Sequence, residues 1–230
     1  MCGRFVQFSS IRTLEYYFKI QTAPDEVVPS YNIAPTQKIP VIVKKEDYHL
    51  QKMHWGLVPS WAKDLSGASR LINARAETVA TKPSFRAAFK NRRCLIPTDG
   101  FYEWKGEKGK KQPWFISLPS GQPFAFAGLW EVWKDKQALP DQPDYRSCTI
   151  ITTAASKSVQ DIHHRMPVIL QPEAYDEWLD PENQDVQQLE SILQTKLIRE
   201  FKRHPVSKLV NRVQNNSPAN IEPQDERIRK

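Results

Sequence analysis

The apolar positions change period several times along the chain, and the changes mark its elements. Ile11, Leu14 and Phe18 recur three or four residues apart behind Ser9 and Ser10, which predicts a capped helix running to about Ile20. A short strand over the first eight residues precedes it, and Pro24 and Pro29 break the chain after it. KIPVIVK (38–44) and YHLQKMHWG (48–56) read as two strands joined by a turn. WGLVPSWAKD (55–64) is a Pro-containing aromatic loop, LINARAET (71–78) reads as extended, and PSFRAAFKN (83–91) reads as a helix. From Cys94 strands dominate, near 94–97, 101–105, 112–118, 123–131 and 145–153. A short helix at 156–161 and a strand at 166–170 follow. Two helices come next, about 172–179 and 184–194, the second with Val186, Leu189 and Leu193 on its buried face. A last strand covers 199–207, and the polar tail from Ser217 is expected to fray.

Many short strands with a few helices between them argue an α+β fold: a mainly antiparallel, barrel-like sheet with peripheral helices. The expected organisation is one domain over residues 1–216 and a polar tail over 217–230. Neither a G-x-G-x-x-G nor a Walker motif occurs among the 8 glycines, so the common nucleotide-phosphate loops are excluded.

Charge adds a partner class. Lys and Arg number 33 against 26 acidic residues, a net charge of +7 that favours an anionic partner, nucleic acid first. Nine basic residues fall between Lys82 and Lys111, some of them expected on a solvated helix face. The cysteines Cys2, Cys94 and Cys148 form no C-x-x-C pair, which argues against a structural zinc site and fits a reducing cytosol. No apolar run is long enough for a membrane span, and the first residues lack the apolar stretch of a signal peptide.

Cys2 is the most informative residue. Removal of Met1 would leave an α-amine and a thiol on one residue, a pair able to condense with an aldehyde and close a five-membered ring. Taken alone, a small second residue is more often just a start site. Asn73 and Arg75 stand two apart in N-A-R-A-E-T, so an extended backbone points both one way. Asn73 could equally be a buried amide satisfying loop backbone. Glu103, the carboxylate of G-F-Y-E-W, either pairs with an Arg or is a tuned acid–base group. In D-I-H-H-R-M-P, His163 is suited to proton transfer, although a lone His is usually structural. His164 reads as a solvated surface residue, and His204 as a second candidate or a packing residue. Trp55 reads as core, and Trp61 as the better platform for stacking an unpaired base.

These residues lie in a set of motifs in fixed order. They are M-C-G-R-F at the start, Y-N-I-A-P (31–35), W-G-L-V-P-S-W (55–61), I-N-A-R-A-E-T (72–78) and F-Y-E-W-K (101–105). I-T-T-A-A (151–155), D-I-H-H-R-M-P (161–167) and H-P-V-S (204–207) complete it. In them the chain resembles the SRAP (SOS-response-associated peptidase) proteins, understood as abasic-site processing proteins, from Met1 to about Asn216. The resemblance implies the α+β SRAP fold and covalent capture of abasic sites in single-stranded DNA through Cys2 as a thiazolidine. Asn73 would position the new amine, Glu103 would act as acid–base group, and His163 would help open the sugar and form the imine. Arg4, Arg75 and Arg165 match phosphate-binding positions, and Asn32, Pro35, Trp61 and Thr152 match positions lining the DNA path.

The resemblance implies no metal or organic cofactor, and permits some lyase chemistry from the imine. The expected protein is a cytoplasmic monomer, nucleoid-associated when bound to DNA, with no membrane partner. The chain departs from the family at His164, where Asp is frequent, and at Ala62, where a second aromatic sometimes follows Trp61. An amino-terminal-nucleophile cysteine peptidase remains an alternative, since Cys2, Asn73, Glu103 and His163 could serve acyl transfer. Only Met1 precedes Cys2, so no leader is expected to need removal. A non-catalytic single-stranded-DNA-binding module is the third reading, and it leaves the aminothiol unexplained.

Overall fold

The computed structural model describes residues 2–24, 26–107, 109–135 and 143–224; Met1, Lys108 of the basic run and residues 225–230 of the expected tail lie outside them. The barrel strands are β3 (Lys38–Lys44), β4 (Tyr48–Trp55), β6 (Arg93–Thr98), β9 (Phe124–Trp133) and β10 (Tyr145–Ala154); β3, β6 and β9 carry near-continuous apolar runs because both of their faces are buried, β4 alternates buried and part-exposed positions, and β10 buries Ser147, Thr149 and Thr152 beside Cys148, Ile150 and Ile151. Val41 and Val43 join one apolar cluster while Ile42 joins another; Cys94 and Ile96 divide from Leu95 in the same way. These strands pair in the order β10-β4-β3-β6-β9, and β9 pairs again with β10, which closes a five-stranded barrel. The β10–β4 pairing is parallel and the others are antiparallel.

β10 outruns its barrel neighbours and changes partner on both edges. Beyond β9 it pairs with β11 (Arg165–Pro167), and beyond β4 with the parallel β5 (Asn73–Arg75). The second sheet is antiparallel and runs β12 (Lys202–Pro205), β8 (Gln112–Ser117), β7 (Gly100–Lys105), β1 (Phe5–Gln7), β2 (Ser30–Ile33). Phe5 joins it to the barrel core, its ring edge-on to Trp55 at 5.2 Å and to Phe126 at 5.7 Å.

Among the described residues four α-helices cover the outer barrel face: α1 (Ile11–Phe18), α2 (Arg86–Asn91), α3 (Tyr175–Leu179) and α4 (Val186–Thr195). None is long enough to hold itself in water, so packing sustains them. Leu14, Phe18, Phe89, Trp178 and Leu189 pack with Ile42 and Leu95, each fully buried side chain stabilising by roughly 1.5–3 kcal/mol. Ser10 caps α1 by accepting from the Thr13 N–H, and Asp185 caps α4 by accepting from the N–H groups of Gln187 and Gln188.

Several boundaries differ from the sequence expectation. Residues 156–161 form turns, with Ser156 O accepting from the Val159 and Gln160 N–H groups, because the chain must reverse to set β11 against β10. Of 71–78, only Asn73–Arg75 is strand, and of 199–207, only Lys202–Pro205. The segment 172–179 begins as a 3-10 turn before α3. The tail does not fray up to Gln224: Asn220 is fully buried, Val206 bridges Pro223, and the Gln224 N–H donates to Pro205 O. Docked hydrogen bonds, which polarity alone does not reveal, hold it. Among the described residues no helix is long and apolar enough to cross a membrane.

Candidate functional site

Cys2 enters the barrel core just ahead of β1 and is fully buried. Its carbonyl oxygen accepts from the Asn73 side-chain amide at 2.8 Å. β5 presents that amide: Ala74 packs into the outer core, so Asn73 and Arg75 take the opposite face, as the alternation predicts. Among the described residues Asn73 Oδ1, which is buried, has no hydrogen-bond partner. An acceptor is therefore held beside the first residues of the chain.

Glu103 comes to the same place from β7. Phe101 lies in the apolar cluster that contains Cys2, whereas Tyr102 packs on the other side of the sheet with Val6 and Phe115. Period-two alternation thus puts Glu103 on the Cys2 side. It is 4% exposed, and burial pushes its carboxyl up to about 7. Burial first, and the Glu103 charge second, hold the Cys2 thiol well above its ordinary range. The start of β7 admits only glycine: a Cβ on Gly100 would lie 2.4 Å from the Phe115 ring.

His163 sits on the turn between β10 and β11, whose Val159 and Ile162 pack into the Cys2 cluster. Its Nδ1 accepts from the Arg165 N–H at 3.0 Å and lies 2.9 Å from Arg165 O, so the Arg165 backbone fixes the ring. Burial lowers its pKa below the ordinary histidine value. His164 is exposed and stacks on it at 4.5 Å. His204 is elsewhere: Nε2 meets Ile221 O at 2.8 Å and the ring leans on Phe115.

The remaining expected residues divide into two groups. Trp61 is 65% exposed on a loop that Trp133 anchors by donating to Ala62 O, while Trp55 is core and donates to Ile72 O. Arg75 is exposed and Pro35 half-buried. Asn32 and Thr152, matched to the DNA path, are instead buried. Asn32 donates to the carbonyls of Val210, Arg212 and Asn215 and accepts from Arg4 at 2.7 Å. Arg4 also donates to Val210 O and lies 5.9 Å from the Trp104 ring centroid. Thr152 uses its carbonyl and hydroxyl to receive Arg165, at 2.6 and 3.2 Å. Both therefore position an arginine. In the basic run, Arg93 is buried and donates to carbonyls including Trp178 O and Phe89 O, so it is structural, while Lys82, Arg86 and Lys90 are exposed on or near α2.

Three interactions were not anticipated from the sequence. Asp99 accepts from the Phe8 and Ser9 N–H groups, tying the end of β1 to the start of β7. Asp161 pairs with Lys105 and Arg203, fastening the His163 turn to β7 and β12. Glu77 forms a two-pronged pair with Arg165, at 2.6 and 3.1 Å. Alternation could not have placed Glu77: it stands in the same motif two positions after Arg75, but past the end of β5, where the chain turns.

Comparison with known proteins gives this arrangement a family. The family model described as SOS response associated peptidase (SRAP) matches residues 1–213. Abasic site processing protein YoqW of Bacillus subtilis is 46% identical, over 96% of this chain and 99% of its own length. YedK of Escherichia coli, with the same description, is 33% identical over 97% of this chain and 100% of its own. HMCES of Pongo abelii, also so described, is 34% identical over 90% of this chain and 68% of its own. A solved structure from Bacteroides thetaiotaomicron superimposes with a TM-score of 0.83 at 24% identity, covering 97% of this chain and all of that one, and shows the fold. A phage-related protein from Bordetella bronchiseptica does so with a TM-score of 0.67 at 31% identity, covering 89% and 94%. This chain belongs to the SRAP family.

Proposed function

We propose that the protein captures abasic sites in single-stranded DNA as a covalent crosslink through Cys2, once Met1 has been removed. The observation that carries this reading is the Asn73 amide on the Cys2 carbonyl, beside a buried carboxyl raised to about 7. The names of the relatives, abasic site processing proteins, support the substrate. A carboxyl poised near neutral pH can both give and take a proton.

The abasic sugar opens to its aldehyde, with His163 and Glu103 moving the proton. The freed Cys2 amine, positioned by Asn73, adds to C1′; loss of water leaves an imine. The thiol then adds across the C=N bond, sulfur to carbon and proton to nitrogen, and closes a thiazolidine with no net oxidation or reduction. The imine also allows β-elimination, a lyase side reaction. Arg4, Arg75 and Arg165 hold phosphates, and Trp61 stacks an unpaired base. The protein acts as a monomer and without a cofactor, in the cytoplasm.

The full burial of the Cys2 side chain supports an amine-first order over peptidase chemistry. A peptidase needs a thiolate as its first nucleophile, whereas here the amine attacks first and the thiol follows within the same residue. Incubation with abasic single-stranded DNA should give a covalent adduct on a denaturing gel without reductant. Peptide cleavage with no adduct would replace this reading by the peptidase one.

A further inference from the structure

Arg165 has little left to offer a phosphate. One terminal nitrogen donates to Glu77 Oε1 at 2.6 Å. The other donates to Glu77 Oε2 at 3.1 Å and to Thr152 O at 2.6 Å. Nε is buried and, among the described residues, has no hydrogen-bond partner. The two terminal nitrogens form the edge that recognises carboxylate or phosphate with two parallel hydrogen bonds, and a carboxylate already fills it. The Arg165 side chain is 13% exposed and tied to β10, so it stays in place. Glu77 is 51% exposed, so its carboxylate can turn out into water and be hydrated there. Arg75, exposed two residues earlier, lies near enough to favour the ionised carboxylate as well.

We propose that Glu77 is a built-in competitor for the DNA backbone: its carboxylate occupies the phosphate-binding edge of Arg165 and must leave before a strand can be held there. This rests on the reading above, in which Arg165 receives a phosphate. The consequence is selectivity. Undamaged strands are held only by reversible contacts, so an internal competitor weakens them and speeds their release. An abasic strand ends in a covalent bond, which a small equilibrium penalty cannot reverse. Glu77 thus lowers affinity for ordinary single strands while leaving the lesion trapped.

The test uses the full chain and a single-stranded oligonucleotide bearing a tetrahydrofuran abasic analogue, which has no aldehyde and reports binding alone. Glu77→Gln keeps a hydrogen-bond acceptor for Arg165 and removes the charge. It should bind about three- to five-fold tighter, the size expected of a half-exposed ion pair. The salt dependence of log Kd should steepen by about 0.7, since Arg165 would now release a solvent counterion instead of an internal one. In an Arg165→Ala background, Glu77→Gln should give no gain. Unchanged or weaker binding in Glu77→Gln would mean that Glu77 only positions Arg165, and the proposal falls. A gain that survives Arg165→Ala would mean general charge removal, and it also falls. Crosslinking of a true abasic strand by the unmodified protein separates the two levels. If that crosslink forms and Glu77→Gln fails, only the competitor is wrong; if the unmodified protein neither binds nor crosslinks, both are.

Discussion

The Asn73 side chain donates to the Cys2 carbonyl oxygen across 2.8 Å, joining two residues 71 positions apart. This bond ties the start of the chain to β5, and β5 is itself held by parallel pairing with β10, Asn73 opposite Ile150. The orientation of Cys2 is therefore inherited from the barrel.

Asn73→Ala should consequently slow crosslinking far more than it weakens DNA binding. Loss of an orienting contact that displaces a reacting group by about 1 Å can reduce a rate on the order of 10²-fold. Single-turnover crosslink formation, set beside a binding titration, measures both. A parallel loss of affinity and rate would show that Asn73 contacts the strand and does not orient Cys2.

Much of this constellation was legible in the sequence. The alternation of Asn73 and Arg75 and the lone carboxylate among aromatics at Glu103 are local patterns, and local geometry preserved them. The positions of Asn32 and Thr152 were not legible, because their burial depends on distant chain. Asn32 is covered by the segment carrying Val210, Arg212 and Asn215, and Thr152 lies where β10 changes partners. Barrel closure has the same character: β9 returning to β10 is a tertiary pairing, although each strand could be read separately. The turn at 156–161 shows the reverse failure, a locally plausible helix overruled by the need to reverse the chain into β11.

Glu103 should give the protein a pH dependence of known sign. Burial raises its carboxyl from 4.5 to about 7, so between these values the folded chain holds a proton that the unfolded chain has released. Its contribution to stability is greatest below the unfolded value and declines as pH rises through 7. Glu103→Gln has no charge to desolvate, so its Tm should exceed that of the unmodified protein at pH 8, by a margin that shrinks toward pH 5. In the unmodified protein, crosslinking rate should inflect near pH 7, and the glutamine variant should lose that inflection. Identical pH profiles for the two proteins would remove Glu103 from the proton transfers.

Gly100→Ala tests the placement of β7. The added Cβ would meet the Phe115 ring at 2.4 Å and Ile116 O at 2.8 Å, so one strand must move. Overpacking of this kind destabilises by about 1–3 kcal/mol. Denaturant unfolding should show the loss. Crosslinking should slow under conditions where the variant is still folded, because β7 carries Glu103. Full stability in this variant would contradict the tight β7–β8 contact.

Trp61→Ala addresses the form of the DNA. Trp61 is 65% exposed on an anchored loop, so its removal should leave Tm nearly unchanged. Loss of one stacked base should weaken single-strand binding by about 1–3 kcal/mol and leave the weaker duplex binding almost unaffected. Titrations at fixed salt with both DNA forms make the comparison. An equal loss for duplex and single strands would assign Trp61 a contact other than base stacking.

Cys2→Ser separates the amine from the thiol. After Met1 removal the variant keeps the amine, so an imine with the opened sugar can still form. Its hydroxyl is a far weaker nucleophile than sulfur and should not close a durable ring. The expected adduct is therefore labile, surviving denaturation only after borohydride reduction, while the unmodified protein gives a heat-stable band without it. Cys2→Ala should behave likewise, because it also keeps the amine and lacks sulfur. Non-covalent affinity should persist in both variants, since the proposed phosphate contacts come from the side chains of Arg4, Arg75 and Arg165 and not from the Cys2 thiol. The buried position of Cys2 makes one control necessary: matched Tm values show that the variants retain the fold. A heat-stable, unreduced adduct from Cys2→Ser would exclude the thiazolidine and move the durable bond to a different nucleophile.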